Sequence, residues 1–315
     1  MQLKMNNLKN ILEQFQNKKI TVIGDVMLDK YLEGDVSRIN PEAPVPIVEL
    51  QNEFFELGGA ANVAANVATL GGKVSLFGFV GKDYSADIIR NLLRQKNISD
   101  FLDFCKTTTE KTRIIGKGQQ LIRFDKEDST DKLFSSEMNK KLLEEIQSSD
   151  IILISDYAKG TINSSLMESL SSFKNKMIVD PKPKNKNLYK GVFLVTPNLK
   201  ECFEMSSHGD VQSAGIALKE LFESNILITQ GQDGMALFSE KNLDIPTFAK
   251  DVFDVVGAGD SVIAALALSI AAGATLEESA IIANHSAGVA VEKKGTHAVT
   301  IDELKEKIFQ DENRN

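Results

Sequence analysis

The sequence predicts an α/β fold: a doubly wound, mostly parallel sheet with a small β-sheet lid. Three observations carry that reading. Short, near-continuous apolar runs recur along the chain, helical patterns lie between them, and two stretches alternate polar with apolar residues and have no helix between. Strands covered on both faces are apolar throughout, as in parallel sheets, whereas alternation marks a strand with one face in water.

The elements follow in order. Leu8, Ile11, Leu12 and Phe15 fall at helical spacing ahead of the first apolar run, Lys19-Ile20-Thr21-Val22-Ile23-Gly24-Asp25. Further strands are expected at residues 74–80, 151–155, 177–180, 192–195 and 226–229. Helices are expected at residues 60–70, 86–95, 136–147, 164–173 and 214–224, and this alternation defines a layered α/β domain. The alternating stretches cover about residues 31–57 and 101–125, with residues 111–116 and 120–125 as antiparallel neighbours. Ligands of open α/β sheets bind at the carboxyl ends of the strands, so strands set apart there are expected to form a lid. A surface ribbon without function is the plainer alternative. The whole chain, 1–315, is read as one domain.

Composition narrows the function. With 36 basic and 44 acidic residues the net charge is −8, which argues against a nucleic-acid partner and against a basic membrane patch. A small-molecule substrate is expected. Cys105 and Cys202 stand far apart and outside any Cys-x-x-Cys, which suits a reducing cytoplasm. The start of the chain lacks the apolar core of a signal peptide, and the longest apolar stretch, residues 262–272, is too short to span a bilayer. A soluble, cytoplasmic protein is the expectation. His208, His285 and His297 are scattered and suggest no metal trio.

The most informative segment is Asp254-Val255-Val256-Gly257-Ala258-Gly259-Asp260, which runs into an apolar helical pattern. Small residues at a helix start leave amides bare, and those amides with the helix dipole hold phosphate as its charge grows. A carboxylate repels an anion bound there, so Asp260 needs a reason. Taking the proton of an attacking hydroxyl supplies one. The glycines alone would more often be a plain helix start.

Other polar signals also fall at strand ends. Gly24 to Asp29 follow the first strand, and Gly58-Gly59-Ala60-Ala61-Asn62 opens a helix; each reads as a sugar-side loop or as ordinary turns and caps. Thr196-Pro197-Asn198-Leu199-Lys200-Glu201 reads as a capping box, or as a Mg²⁺ holder acting through water. Thr229-Gln230-Gly231-Gln232-Asp233-Gly234 reads as a wrap for nucleotide phosphates or as a hairpin turn.

In their order these segments resemble the ribokinase-like (PfkB) carbohydrate kinases, over residues 20 to 296. Within that family, Ser37 to Pro46, Gly58 to Ala64, Gln119 to Arg123 and Ser155 to Gly160 look like the bacterial heptose 7-phosphate kinases of lipopolysaccharide precursor synthesis. The resemblance implies ATP with Mg²⁺ and transfer to the anomeric hydroxyl of D-glycero-β-D-manno-heptose 7-phosphate. It implies Asp260 as the base and Gly257, Ala258 and Gly259 as the anion hole. Asn198, Leu199, Lys200 and Glu201 would lie by the ATP phosphates, Asn198 and Glu201 also by the metal, with Thr229, Gly231, Gly234 and Asn284 on the nucleotide. Asp29, Gly58, Gly59 and Asn62 would face the sugar, and Arg38, Arg113, Arg123 and Lys159 are the candidates for its phosphate.

The family's usual threonine before Gly-Ala-Gly-Asp is Val256 here, which keeps a β-branched shape and loses a hydroxyl. The resemblance further implies a homodimer paired through its lid strands. Because the chain ends too soon for the nucleotidyltransferase often fused to such kinases, a separate adenylyltransferase is expected to act next. A kinase for a different sugar, sugar phosphate or nucleoside is the nearest rival, and a non-catalytic nucleotide-binding protein the more distant one.

Overall fold

The computed structural model describes residues 2–249, 252–293, 295 and 297–312. Helix α1 (Gln2–Glu13) leads into β1 (Lys19–Gly24). Two long strands, β2 (Val26–Ile39) and β3 (Pro46–Gly59), leave the layer, and α2 (Ala60–Thr69) with β4 (Lys73–Val80) returns to it. After α3 (Tyr84–Gln95) and β5 (Ser99–Phe104), the hairpin of β6 (Thr109–Gly116) and β7 (Gln119–Lys126) makes a second excursion. The layer resumes with α4 (Ser136–Ser148), β8 (Ile151–Ser155), α5 (Ser164–Ser169), β9 (Met177–Asp180) and β10 (Leu194–Val195). Then come α6 (Leu199–Ser206), α7 (Val211–Phe222), β11 (Asn225–Thr229), β12 (Met235–Phe238) and β13 (Leu243–Ile245). Helices α8 (Ala258–Ala271), α9 (Leu276–Val291) and α10 (Ile301–Glu312) follow.

Nine strands form the large sheet, in the order β13-β12-β11-β10-β9-β8-β1-β4-β5, and only the pairings of β12 with its two neighbours are antiparallel. One apolar core lies on the side of α1, α2, α8, α9 and α10, and a second on the side of α4 to α7. Burial on both faces explains the unbroken apolar runs, such as Ile151 to Ser155, all buried. The fold is thus the expected doubly wound layer, with an antiparallel edge that sequence periodicity did not announce.

The small sheet has the order β3-β2-β6-β7. Register places Asp29 opposite Lys111 and Lys111 opposite Asp125; in the next row Tyr31 faces Arg113 and Arg113 faces Arg123. Paired residues share a face and alternate residues return to it, so these side chains line one surface of the small sheet.

Three of the expected elements lie elsewhere or stop short in the structure. Residues 101–104, expected in the lid, belong to β5, which pairs in parallel with β4 at the edge of the large sheet. The strand expected at 192–195 shrinks to Leu194–Val195, because Val192 gives its amide to Tyr189 in a local turn and Phe193 gives its amide to Lys174, ahead of β9. The helix expected to reach residue 173 stops at Ser169, and a 3-10 turn, Ser171–Lys176, carries the chain to β9.

Candidate active site

The carboxyl ends of β1, β8, β9, β10 and β11 converge on the start of α8. This helix is mostly apolar, and residues 260 to 269 are buried between neighbouring elements. Gly257 caps it at φ 78°, a left-handed conformation that an L side chain adopts only with strain. The first α-helical bond runs from the Ser261 N–H to the Gly257 carbonyl at 3.1 Å, so the amides of Gly259 and Asp260 precede the ladder. The Ala258 amide, expected in the anion hole, donates instead to the Val255 carbonyl at 3.3 Å.

Asp260 is 8% exposed and held on both oxygens. Asn62 Nδ2 donates to Oδ2 at 2.6 Å and the Tyr157 hydroxyl to Oδ1 at 3.3 Å. Burial pushes the carboxyl up to about 6; the bonds from Asn62 and Tyr157 and the charge of Lys111 oppose that, and the charge of Asp29 adds to it. Asn62, expected on the sugar side, therefore also orients the candidate base. In turn Asn66 Nδ2 donates to the Asn62 carbonyl at 2.9 Å, and Ser261 Oγ to Asn66 Oδ1 at 2.8 Å. The α2–α8 seam thus fixes the carboxylate from behind.

The loop after β8 is tied down by Asp25. Its Oδ2 accepts the amides of Tyr157 and Lys159, each at 2.9 Å, and its Oδ1 accepts that of Thr161 at 3.1 Å. Asp25 thus organises the backbone that presents Tyr157.

A polar cavity of about 170 Å³ opens in front of Gly257, Gly259 and Asp260. Its far wall holds Asn198, Glu201, Asp180 and Lys182. Asn198 and Glu201 form a capping box, with Asn198 Oδ1 accepting from the Glu201 amide at 3.0 Å and Glu201 Oε2 from the Asn198 amide at 3.1 Å. The other oxygen of Glu201 accepts from Lys182 Nζ. Leu199 packs against the core beneath α6 and Lys200 is exposed, so neither expected nucleotide contact lines this cavity.

A larger, mainly apolar cavity of about 410 Å³ adjoins it across Thr229, Gly259 and Val262. Gly231, Gly234, Ala258 and Asn284 line it. Gly234 has φ 89°, and a Cβ there would lie 2.1 Å from the Ile245 carbonyl, so both the turn and the close strand require glycine. Asn284 Nδ2 is already bonded to the Pro246 carbonyl at 2.7 Å. The residue therefore supports the wall of this cavity through its own backbone partner. Val256, where the family has threonine, is 46% exposed and lines neither cavity.

On the lid side, Asp29 pairs with Arg113, whose guanidinium also lies over the Tyr31 ring, 5.2 Å from its centroid. Gly58 leaves room for this carboxylate, since a Cβ there would stand 2.4 Å from Asp29 Oδ2, and Gly59 turns the chain into α2 at φ 57°. The other cations expected to grip a phosphate all carry carboxylate partners. Arg123 holds Asp125 at 2.8 Å, Lys159 holds Glu127 at 2.6 Å, and Arg38, 66% exposed, meets Glu49 at 3.5 Å near the outer end of β2.

Sequence reasoning missed Lys111, Asp180 and Lys182 and gave Tyr157 no role. Lys111 forms no ion pair among the described residues; its Nζ lies 5.4 Å from the Tyr157 ring centroid, and burial draws its pKa down while the charge of Asp29 opposes. The two-residue period from Arg113 was the available signal for Lys111. Asp180, at the carboxyl end of a strand, offered another. Burial and the charge of Glu201 push the Asp180 carboxyl well above the usual range.

Glycine turn, buried carboxylate, polar cavity and apolar neighbour together form a site arranged for phosphoryl transfer. A family model described as pfkB family carbohydrate kinase matches residues 17–303. The chain belongs to that family and is a carbohydrate kinase. It is 41% identical over 313 residues to a "Bifunctional protein HldE" of Shewanella piezotolerans, covering 96% of this chain and 65% of that protein. It is 42% identical over 314 residues to a protein of the same name from another Shewanella strain, covering 96% of this chain and 66% of the relative. The chain thus spans slightly under two thirds of the length of these relatives. Among solved structures, phosphofructokinase-2 of Escherichia coli, in complex with potassium, superposes with a TM-score of 0.76 at 21% identity, covering 93% of this chain and 98% of that one. A ribokinase of Arabidopsis thaliana, complexed with ribose and ATP, gives 0.73 at 20% identity over 93% and 97% of the two chains. At such identities the likeness establishes the fold alone.

Proposed function

We propose that the chain transfers the γ-phosphoryl group of ATP to the anomeric hydroxyl of D-glycero-β-D-manno-heptose 7-phosphate, giving the 1,7-bisphosphate and ADP. The observation that carries this reading is the Asp260 carboxylate, clamped by Asn62 and Tyr157 between a phosphate-sized polar cavity and the basic face of the lid. The likeness to heptose-kinase segments and to proteins named HldE supports the choice of sugar.

The acceptor oxygen bonds to the γ-phosphorus while the bond to the ADP oxygen breaks, and the hydroxyl proton passes to Asp260. With a pKa of about 6 the carboxylate is ionised at neutral pH, yet it is far less basic than a sugar alkoxide. Proton transfer is therefore late, and positioning with charge stabilisation supplies most of the acceleration. Exposed amides of the Gly257–Asp260 turn take up charge on the phosphoryl oxygens, each such donor contributing on the order of 3 kcal/mol.

The nucleotide base and ribose would occupy the apolar cavity beside Gly231, Gly234 and Asn284, with Thr229 at its junction with the phosphates. Asn198 and Glu201 would hold Mg²⁺, which when bound would supply charge neutralisation for the phosphates. Glu201 and Asn198 fit it through water: one Glu201 oxygen is held only by an exchangeable ammonium, and among the described residues no trio of His, Cys, Asp or Glu forms a metal cage. Asp29 and the Gly58-Gly59 turn would hold sugar hydroxyls, with Arg113, Arg123, Lys159, Arg38 and the newly placed Lys111 serving the substrate phosphate.

This reading takes the chain as one kinase domain whose small sheet is the lid. It makes the molecule a homodimer through lid surfaces, where Ile122 and Phe124 stand 48% and 53% exposed. An adenylyltransferase activity would consume the product. An ADP-release assay across a panel of acceptors tests the substrate: heptose 7-phosphate should give the highest kcat/KM, and an unphosphorylated hexose in first place would defeat the assignment.

A further inference from the structure

The polar cavity carries an electrostatic problem. Three carboxylates line it, Asp180, Glu201 and Asp260, yet the kinase reading brings a polyphosphate into the same space. Lys182 is the one basic side chain among the lining residues. It comes from the loop after β9, two residues beyond Asp180, and shares the cavity wall with Gly257 and Gly259. Its Nζ donates to Glu201 and lies over the Tyr157 ring, 5.3 Å from the centroid. The side chain keeps 31% exposure, so its ammonium is not sealed into that pair.

Resting on the kinase reading, we propose that Lys182 is a further catalytic residue: its ammonium exchanges Glu201 for the transferring phosphoryl group. Glu201 holds the cation inside the cavity while no anion is present, and the Tyr157 ring forms a seat from which it reaches both partners. A phosphoryl group carries more charge than a carboxylate and offers three acceptor oxygens, so it competes for the same donor. The bonds made and broken stay as described above, since Lys182 forms only an ionic contact. Tyr157, bonded to Asp260 and beneath two lysines, is the positioning residue that sets base and cation at a fixed separation.

The experiment compares wild type with Lys182→Met and Lys182→Arg. Calorimetry measures binding of ADP and of the imido analogue of ATP, both with Mg²⁺, and turnover is measured with heptose 7-phosphate. Lys182→Met should bind ADP within about threefold of wild type and the analogue roughly tenfold more weakly, because only the analogue carries the third phosphate. Its kcat should fall by about 10² to 10³, the range for losing one charge-stabilising donor, and Lys182→Arg should recover most of the analogue affinity. Equal weakening of both nucleotides, or none, overturns the role and leaves Lys182 as a partner of Glu201. If Lys182→Met does not fold, Lys182→Gln, which keeps a donor for Glu201 without the charge, carries the same comparison. A wild type that binds both nucleotides but phosphorylates no heptose phosphate would defeat the substrate assignment, while the nucleotide comparison would still decide Lys182.

Discussion

At the scale of single residues, the molecule places one ionisable side chain where it is costly to the fold and useful to the chemistry. Asp260→Asn should retain ATP binding and lose turnover by roughly 10² to 10⁴, the range for a general base. The same substitution should stabilise the protein at pH 8. Below the unfolded-state pKa of about 3.9 both states hold the proton and burial carries no ionisation cost. That cost grows as pH rises from there to the folded value of about 6, because the unfolded chain releases its proton first, and it is constant above. Melting curves should show Asp260→Asn gaining about 1–3 kcal/mol over wild type at pH 8 and little at pH 4. For the wild type, kcat/KM should decline as pH falls through about 6. Asn62→Ala removes a donor that favours the carboxylate, so its acid limb should move to higher pH; an unchanged profile would detach Asn62 from the base. Asp29, Lys111 and Asp180 also act on this carboxyl and remain in that variant. Asp260 was legible because an acidic residue closing a glycine turn is locally anomalous. Lys182 was not, because its partner Glu201 lies 19 residues away and only the parallel ordering of β9 and β10 brings the two together.

At the scale of elements, burial decided what could be read. Apolar runs announced β1, β4, β8, β9 and β11, and alternation announced the β6–β7 hairpin. Helix α9 was missed as an element because most of its residues are buried and it shows little amphipathic contrast, although its capping box, Thr275 with Glu278, was open to reading. Strands β12 and β13 are four and three residues long, too short for periodicity to separate them from loop. The turn from β3 into α2 links the small sheet to the helix whose Asn62 holds Asp260. Gly58→Ala would press on the Asp29 carboxylate and disturb its pair with Arg113. The expected result is a sugar-phosphate KM raised about tenfold or more with the ATP KM nearly unchanged. A matching rise in both constants would mean that the turn serves the whole site.

For the whole molecule, the doubly wound sheet sets an apolar cavity and the small sheet on either side of the start of α8. The order of motifs made this arrangement legible; the lid's charge pairing was not, since each cation's partner depends on register across strands. Sedimentation should find a dimer, and Phe124→Asp, which charges the lid's exposed surface, should yield a monomer; a wild-type monomer would remove the lid interface from the account. The most direct test of the central claim is phosphorus NMR of the wild-type and Asp260→Asn proteins, each incubated with ATP, Mg²⁺ and D-glycero-β-D-manno-heptose 7-phosphate. The account predicts one new anomeric phosphate per ADP formed with the wild type, and a rate at least a hundredfold lower with the variant. Phosphate on another hydroxyl, or equal rates from the two proteins, would contradict it.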